Sequence, residues 1–157
     1  MATASTKTHY IPAGYHTATP YLVMRHAAKA LDWYHDVLGA TEVMRFPTPD
    51  GKIGHAEIKI GDSFIMLADE CPDMGYVGPE SLGGSPGLIM IYVENVDSVF
   101  KRALDHGAKM KQELKDQFYG DRNGTIIDPF GHQWTIATHI EDVTPEEMQR
   151  RMSAAKK

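Results

Sequence analysis

The chain of 157 residues carries one cysteine, Cys71, so an internal disulfide framework is excluded. Cys71 lies in a stretch rich in Pro, Gly and Asp with no second thiol nearby, which reads as incidental and fits a reducing compartment. Positive charge is scarce. Sixteen Lys and Arg stand against 21 Asp and Glu, a net charge of −5. That balance lacks the basic footprint of a nucleic-acid binder. No apolar run approaches the ~20 residues of a membrane span. Met1 to Lys7 is small and polar, without the apolar segment of a secretory signal. A cytoplasmic protein that engages neither nucleic acid nor membrane is the expectation.

What is present is ordinary in amount and unusual in order. Apolar residues make up 42% and charged residues 24%, enough for one globular core. The segment Gly61-Asp62-Ser63-Phe64-Ile65-Met66-Leu67-Ala68 is echoed by Gly131-His132-Gln133-Trp134-Thr135-Ile136-Ala137-Thr138, an offset of 131 − 61 = 70. Gly39-Ala40 recurs at Gly107-Ala108, an offset of 107 − 39 = 68. The chain is therefore two copies of one module, and duplicated modules commonly place a site between the copies.

The order of elements repeats as well. Thr19 to Met24 reads as a strand, with Pro20 near its start where a missing N–H costs least. Ala27 to Leu38 has apolar residues at helical spacing and a closing glycine, Gly39. Glu42 to Phe46 is a strand. Gly54 to Ile60 and Ser63 to Asp69 form a hairpin around Gly61-Asp62, a type II′ signal. Residues 70–87 hold three prolines and five glycines and read as a long loop of the kind that becomes a lid or binding loop.

Leu88 to Val93, Val96 to His106, Lys109 to Glu113, Thr125 to Asp128 and Gln133 to Thr138 repeat the series, with Asn95 or Asp97 capping the helix. Thr144-Pro145-Glu146-Glu147 opens a last helix. The organisation expected is a flexible N-terminal arm (1–16), a first module (17–69), a linker loop (70–87), a second module (88–139) and a C-terminal helix (140–157). The fold class is α+β, with two βαβββ modules whose curved sheets form a cup.

Three segments carry a resemblance: His55-Ala56-Glu57-Ile58-Lys59-Ile60-Gly61-Asp62-Ser63, Tyr119-Gly120-Asp121-Arg122, and Asp128-Pro129-Phe130-Gly131-His132-Gln133-Trp134. On a duplicated βαβββ frame they resemble the vicinal-oxygen-chelate superfamily, which includes glyoxalase I, the fosfomycin and bleomycin resistance proteins and extradiol dioxygenases. Within it they are similar to the PhnB-like, glyoxalase-like branch. The resemblance covers roughly residues 17–139 and implies a cup between the modules. It also implies a homodimer, with each cup often built from both chains.

It further implies four positions for a divalent metal, on the first and last strands of each module. These fall at Thr19, Met66, Leu88 and Thr135, and the pairs agree: 88 − 19 = 69 and 135 − 66 = 69. Threonine hydroxyls are poor ligands, leucine is none, and a thioether suits copper(I). The expectation is a cup without a metal or other cofactor.

Strand alternation places Thr19, Tyr21, Val23, Phe64, Met66, Ala68, Leu88, Met90, Tyr92, Gln133, Thr135 and Ala137 on the cup face. Apolar walls with a few polar groups suit a small aromatic or amphipathic ligand, although the same side chains could fill the cup as core. Hairpin pairing around Gly61-Asp62 sets Lys59 opposite Phe64, Glu57 opposite Met66 and His55 opposite Ala68, so His55 and Glu57 also enter the cup. Arg122 can fork onto an anion, with Tyr119 beside it.

The ligand-binding set is thus Tyr21, His55, Glu57, Phe64, Met66, Met90, Tyr92, Tyr119, Arg122, Gln133 and Thr135. The leading expectation is a metal-independent protein that sequesters a small molecule. The alternative is a lyase, isomerase or dioxygenase-like enzyme using a relocated metal or the His55/Glu57 pair as acid and base.

Overall fold

A computed structural model describes residues 8–155. In the first module β1 is Tyr21–Met24, α1 Ala27–Leu38, β2 Thr41–Pro47, β3 Ile53–Ile60 and β4 Ser63–Asp69. The second has β5 Leu88–Tyr92, α3 Val96–Asp105, β6 Lys109–Asp116, β7 Asp121–Ile127 and β8 Gln133–His139. Between them lie a 3-10 turn, Pro72–Met74, and a short helix, α2, Pro79–Leu82. A last helix, α4, spans Pro145–Ala154. Each module is βαβββ, and its sheet has one strand order: β1-β4-β3-β2 in the first, β5-β8-β7-β6 in the second.

Local chemistry explains the boundaries. Strand β1 begins two residues later than expected because Pro20 offers no N–H; its carbonyl instead accepts from Met66 N at 2.9 Å. The β3–β4 register is Lys59 opposite Phe64 and Glu57 opposite Met66, as the turn requires. Gly61 takes φ 57, which a glycine adopts without strain.

Each helix is started by the strand that ends beside it. Asp69 Oδ1 accepts from Ala27 N at 3.0 Å, and Thr138 Oγ1 accepts from Val96 N at 3.0 Å. These residues are 138 − 69 = 69 apart, so the duplication extends to its caps. Asn95 adds the expected side-chain cap, accepting from Ser98 N at 3.0 Å. Gly39 ends α1 at φ 69.

One core serves both modules. Ala27, Ala30, Leu31, Trp33, Tyr34, Val37 and Leu38 form a broad buried face on α1. Burying a side chain such as Leu31 or Val37 contributes roughly 1.5–3 kcal/mol. α1 also packs on α3. Trp33 Nε1 donates to His106 O at 2.8 Å, and Arg102 of α3 donates to Val37 O through Nε and Nη2 at 3.0 and 2.8 Å. Tyr34 reaches the second sheet, its ring 5.3 Å from that of Trp134. The helices therefore join the modules, and the other face of each sheet is turned away from this core.

Strand β7 was the least legible element. It starts at Asp121, not Thr125, because Asp-Arg-Asn-Gly carries no apolar alternation, yet it is laddered to β8 from Asp121–His139 to Ile127–Gln133. The segment 70–87 is more ordered than a loop. Cys71 bridges to Tyr76, and Gly78 packs so closely on β1 that a Cβ there would lie 2.7 Å from Val23 O. Of the N-terminal arm, residues 1–7 lie outside the described residues; Tyr15 stacks on Phe64 with ring centroids 4.0 Å apart.

Candidate functional site

Two faces, one per sheet, carry the residues singled out in the sequence. On the first, Tyr21 pairs with Met66, and Glu57 lies between Met44 and Met66 in the ladders. Tyr21 O–H, His55 and Glu57 form one hydrogen-bonded chain. His55 Nε2 lies 3.1 Å from Glu57 Oε1, and His55 Nδ1 lies 2.9 Å from the Tyr21 hydroxyl. An ionised carboxylate only accepts, so Nε2 donates and Nδ1 of a neutral ring accepts from Tyr21. Burial and neighbouring Tyr76 hold the Tyr21 phenol above its ordinary range, which keeps it a donor. Glu57 is 6% exposed, and its Oε2 has no partner. Beside this chain lies a cavity of about 510 Å³ lined by Tyr21, Val23, Gly54, Ala68, Asp69, Cys71, Met74 and Tyr76.

The second face holds Met90, Tyr92, Gln133 and Thr135, with Met90 opposite Thr135. Thr135 and Thr125 hydroxyls are 2.9 Å apart, and Thr125 donates onward to Gln112 Oε1 at 3.3 Å. The Gln133 amide is occupied: Lys111 Nζ donates to Oε1 at 2.5 Å, and Nε2 donates to Ser85 O. Tyr119 belongs here too, accepting from Asn123 Nδ2 at 2.7 Å. Tyr92 O–H donates to Asp121 Oδ2 at 2.8 Å, and that carboxylate raises the phenol's pKa, with burial second.

Five of the sequence-predicted residues thus gather on each face: Tyr21, His55, Glu57, Phe64 and Met66 on one, Met90, Tyr92, Tyr119, Gln133 and Thr135 on the other. Arg122 joins neither. It alternates with Asp121 and Asn123 along β7, so it points to the opposite side, where Asp97 and Asp116 hold it at 2.7 and 3.0 Å. No free fork is left for an anion.

The two sheets are separate in their hydrogen bonding. Among the described residues, no backbone hydrogen bond or ladder joins β1 to β5. The faces approach along one edge, where Thr19, Phe64, Met90 and Tyr92 line a cavity of about 340 Å³. Of the four family metal positions, Thr19 alone lines that cavity; Met66, Leu88 and Thr135 do not. Those side chains also lack the chemistry to hold a divalent ion. Among the described residues, no group of three His, Cys, Asp or Glu side chains is placed to hold a metal ion.

A model of the Glyoxalase/Bleomycin resistance protein/Dioxygenase superfamily matches residues 15–136. The chain belongs to that superfamily. The uncharacterised protein Mb0911c of Mycobacterium bovis is 42% identical over 139 residues, 87% of this chain and 91% of that one. TioX from Micromonospora sp. ML1 is 26% identical with a TM-score of 0.60, covering 82% of this chain and 100% of that one. The PhnB protein from Bacillus cereus is 16% identical with a TM-score of 0.63, covering 78% and 99%. The fosfomycin resistance protein FosX from Listeria monocytogenes is 16% identical with a TM-score of 0.60, covering 85% and 97%. The last two likenesses are of fold.

Two parts of this superfamily member's second face escaped sequence reasoning. Asp121 is 4% exposed and accepts from both Tyr92 and His139. His139 also meets Asp142, and the two carboxylates, Asp121 first, hold its imidazole above its ordinary range. The available signal was period-two polarity, Asp121-x-Asn123-x-Thr125, which marks one strand face. The family motif Asp128 to His132 proves structural. Asp128 accepts from Tyr34 O–H, Trp134 Nε1 and the amides of Phe130 and His132 at 2.8–2.9 Å. His132 Nε2 donates to Val23 O at 2.9 Å, tying the turn to β1.

Proposed function

We propose that this chain binds an aromatic or amphipathic small molecule, without a metal, in a cup completed by a second copy of itself. The observation that carries the reading is the side-chain chemistry of the four family metal positions: Thr19, Met66, Leu88 and Thr135 offer no imidazole, carboxylate or thiolate. What surrounds them is Tyr21, Phe64, Met90 and Tyr92, apolar and adaptable, with a few fixed polar groups. The dimeric cup draws support from the two outward faces, which each carry half of the candidate set.

Thermal-shift screening tests the reading. Ligands that bind the folded state raise its melting temperature by mass action, and aromatic amphiphiles are expected to do so equally with and without EDTA. Stoichiometric zinc, nickel, manganese or iron in the purified protein, with stability lost on chelation, would overturn it. A second reading, acid–base catalysis by His55 and Glu57, draws on their hydrogen-bonded chain. It requires chemical turnover of a bound molecule, which product analysis detects.

A further inference from the structure

The chain Tyr21–His55–Glu57 runs in one direction. Tyr21 donates to His55, and His55 donates to Glu57 Oε1. Nothing then donates to Glu57 Oε2, which is buried. Its ladder neighbours, Met44 and Met66, have thioethers that cannot donate. Lys59 shares the face but holds its ammonium over the Phe64 ring, 5.4 Å from the centroid. A buried carboxylate oxygen without a donor is costly, and that cost is recovered only when a donor arrives. Methionines are the side chains best able to move aside for one.

Resting on the binding reading above, we infer that the first-module half of the cup is a subsite for a protonated nitrogen on an aromatic ligand. The ammonium or amidinium group donates to Glu57 Oε2, and the attached ring lies against Tyr21 and Phe46. Phe46 is exposed and stacked toward His55 at 6.4 Å between centroids. A cation next to aromatic faces gains from both the carboxylate and the ring quadrupoles.

Three probes of one shape separate the possibilities: phenethylamine, 2-phenylethanol and phenylacetate, each titrated calorimetrically into the full chain at neutral pH. The amine is expected to bind about tenfold tighter than the alcohol, as one charge-assisted hydrogen bond provides, and the acid more weakly than either. In Glu57→Gln the amine's advantage over the alcohol shrinks to about threefold or less. Equal binding of amine and acid overturns the inference and leaves the binding reading standing. So does an amine preference that survives Glu57→Gln. If none of the three binds, both fall. The wild-type ranking stands on its own whether or not the variant folds.

Discussion

A single buried carboxylate, Asp128, ties distant parts of this fold together. Asp128 is buried and satisfies two side chains and two amides from three parts of the chain. Replacing it with alanine leaves the Tyr34 hydroxyl and the Trp134 indole without an acceptor, so Asp128→Ala should cost on the order of 3–5 kcal/mol in chemical denaturation. The sequence displayed Asp128-Pro129-Phe130-Gly131-His132 plainly, but its partner Tyr34 lies 128 − 34 = 94 residues away and looked like one more apolar residue of α1. Long-range polar partners have no sequence period, which is why the pairing of Asp121 with His139 was not legible either. Their pairing predicts a pH effect. Asp121 and Asp142 raise the His139 pKa above its ordinary ~6.5. A raised pKa means stability fully present below about 6.5 and lost as pH climbs through the folded-state value. The stability gap between wild type and His139→Gln should therefore be wider at pH 5.5 than at pH 9; an equal gap at both would show that the pairing is energetically silent.

At the scale of elements, strands and helices with strong periodicity were legible, and those organised by polar side chains were not. The hairpin β3–β4 could be written with its register because a one-residue slip would turn Glu57, His55 and Lys59 into the core. β7 could not, since half of it faces a polar surface. The end of the chain is held by close approach of backbone. Gly120 has φ 98; a Cβ there would lie 2.0 Å from Glu141 O, while Gly120 O accepts from the amides of Ile140 and Glu141 at 2.9 and 3.0 Å. Arg151 of α4 then clamps Glu141 and Glu147, and the Arg150 and Arg151 guanidiniums hold the Glu147 carboxyl at about 2. Gly120→Ala should release this segment, at a cost of roughly 1–3 kcal/mol for the backbone alone. Limited proteolysis reads the release directly: cleavage between 140 and 150 should accelerate in the variant while the two modules stay resistant.

At the scale of the whole molecule, large apolar side chains stand exposed on both sheet faces, with Tyr21 48%, Met90 40% and Tyr92 62% exposed. A standard interface covers about 800 Å² per partner, enough to take in such a face. The proposed cup from two chains makes a prediction that no single-chain cup can imitate. Met66→Trp should block the first-module half and Met90→Trp the second; neither residue lies in the buried core, so both variants should fold. Each variant alone then fails to bind an aromatic probe. Co-expression gives heterodimers as half of the population, each with one cup made of two unblocked halves and one doubly blocked, so roughly a quarter of all cups recover. Light scattering on the same sample should give twice the 17.5 kDa of one chain. Recovery of binding requires that residues of two chains meet in one site. Its absence in a confirmed heterodimer would place each cup within a single chain, and the outward faces would then need another partner.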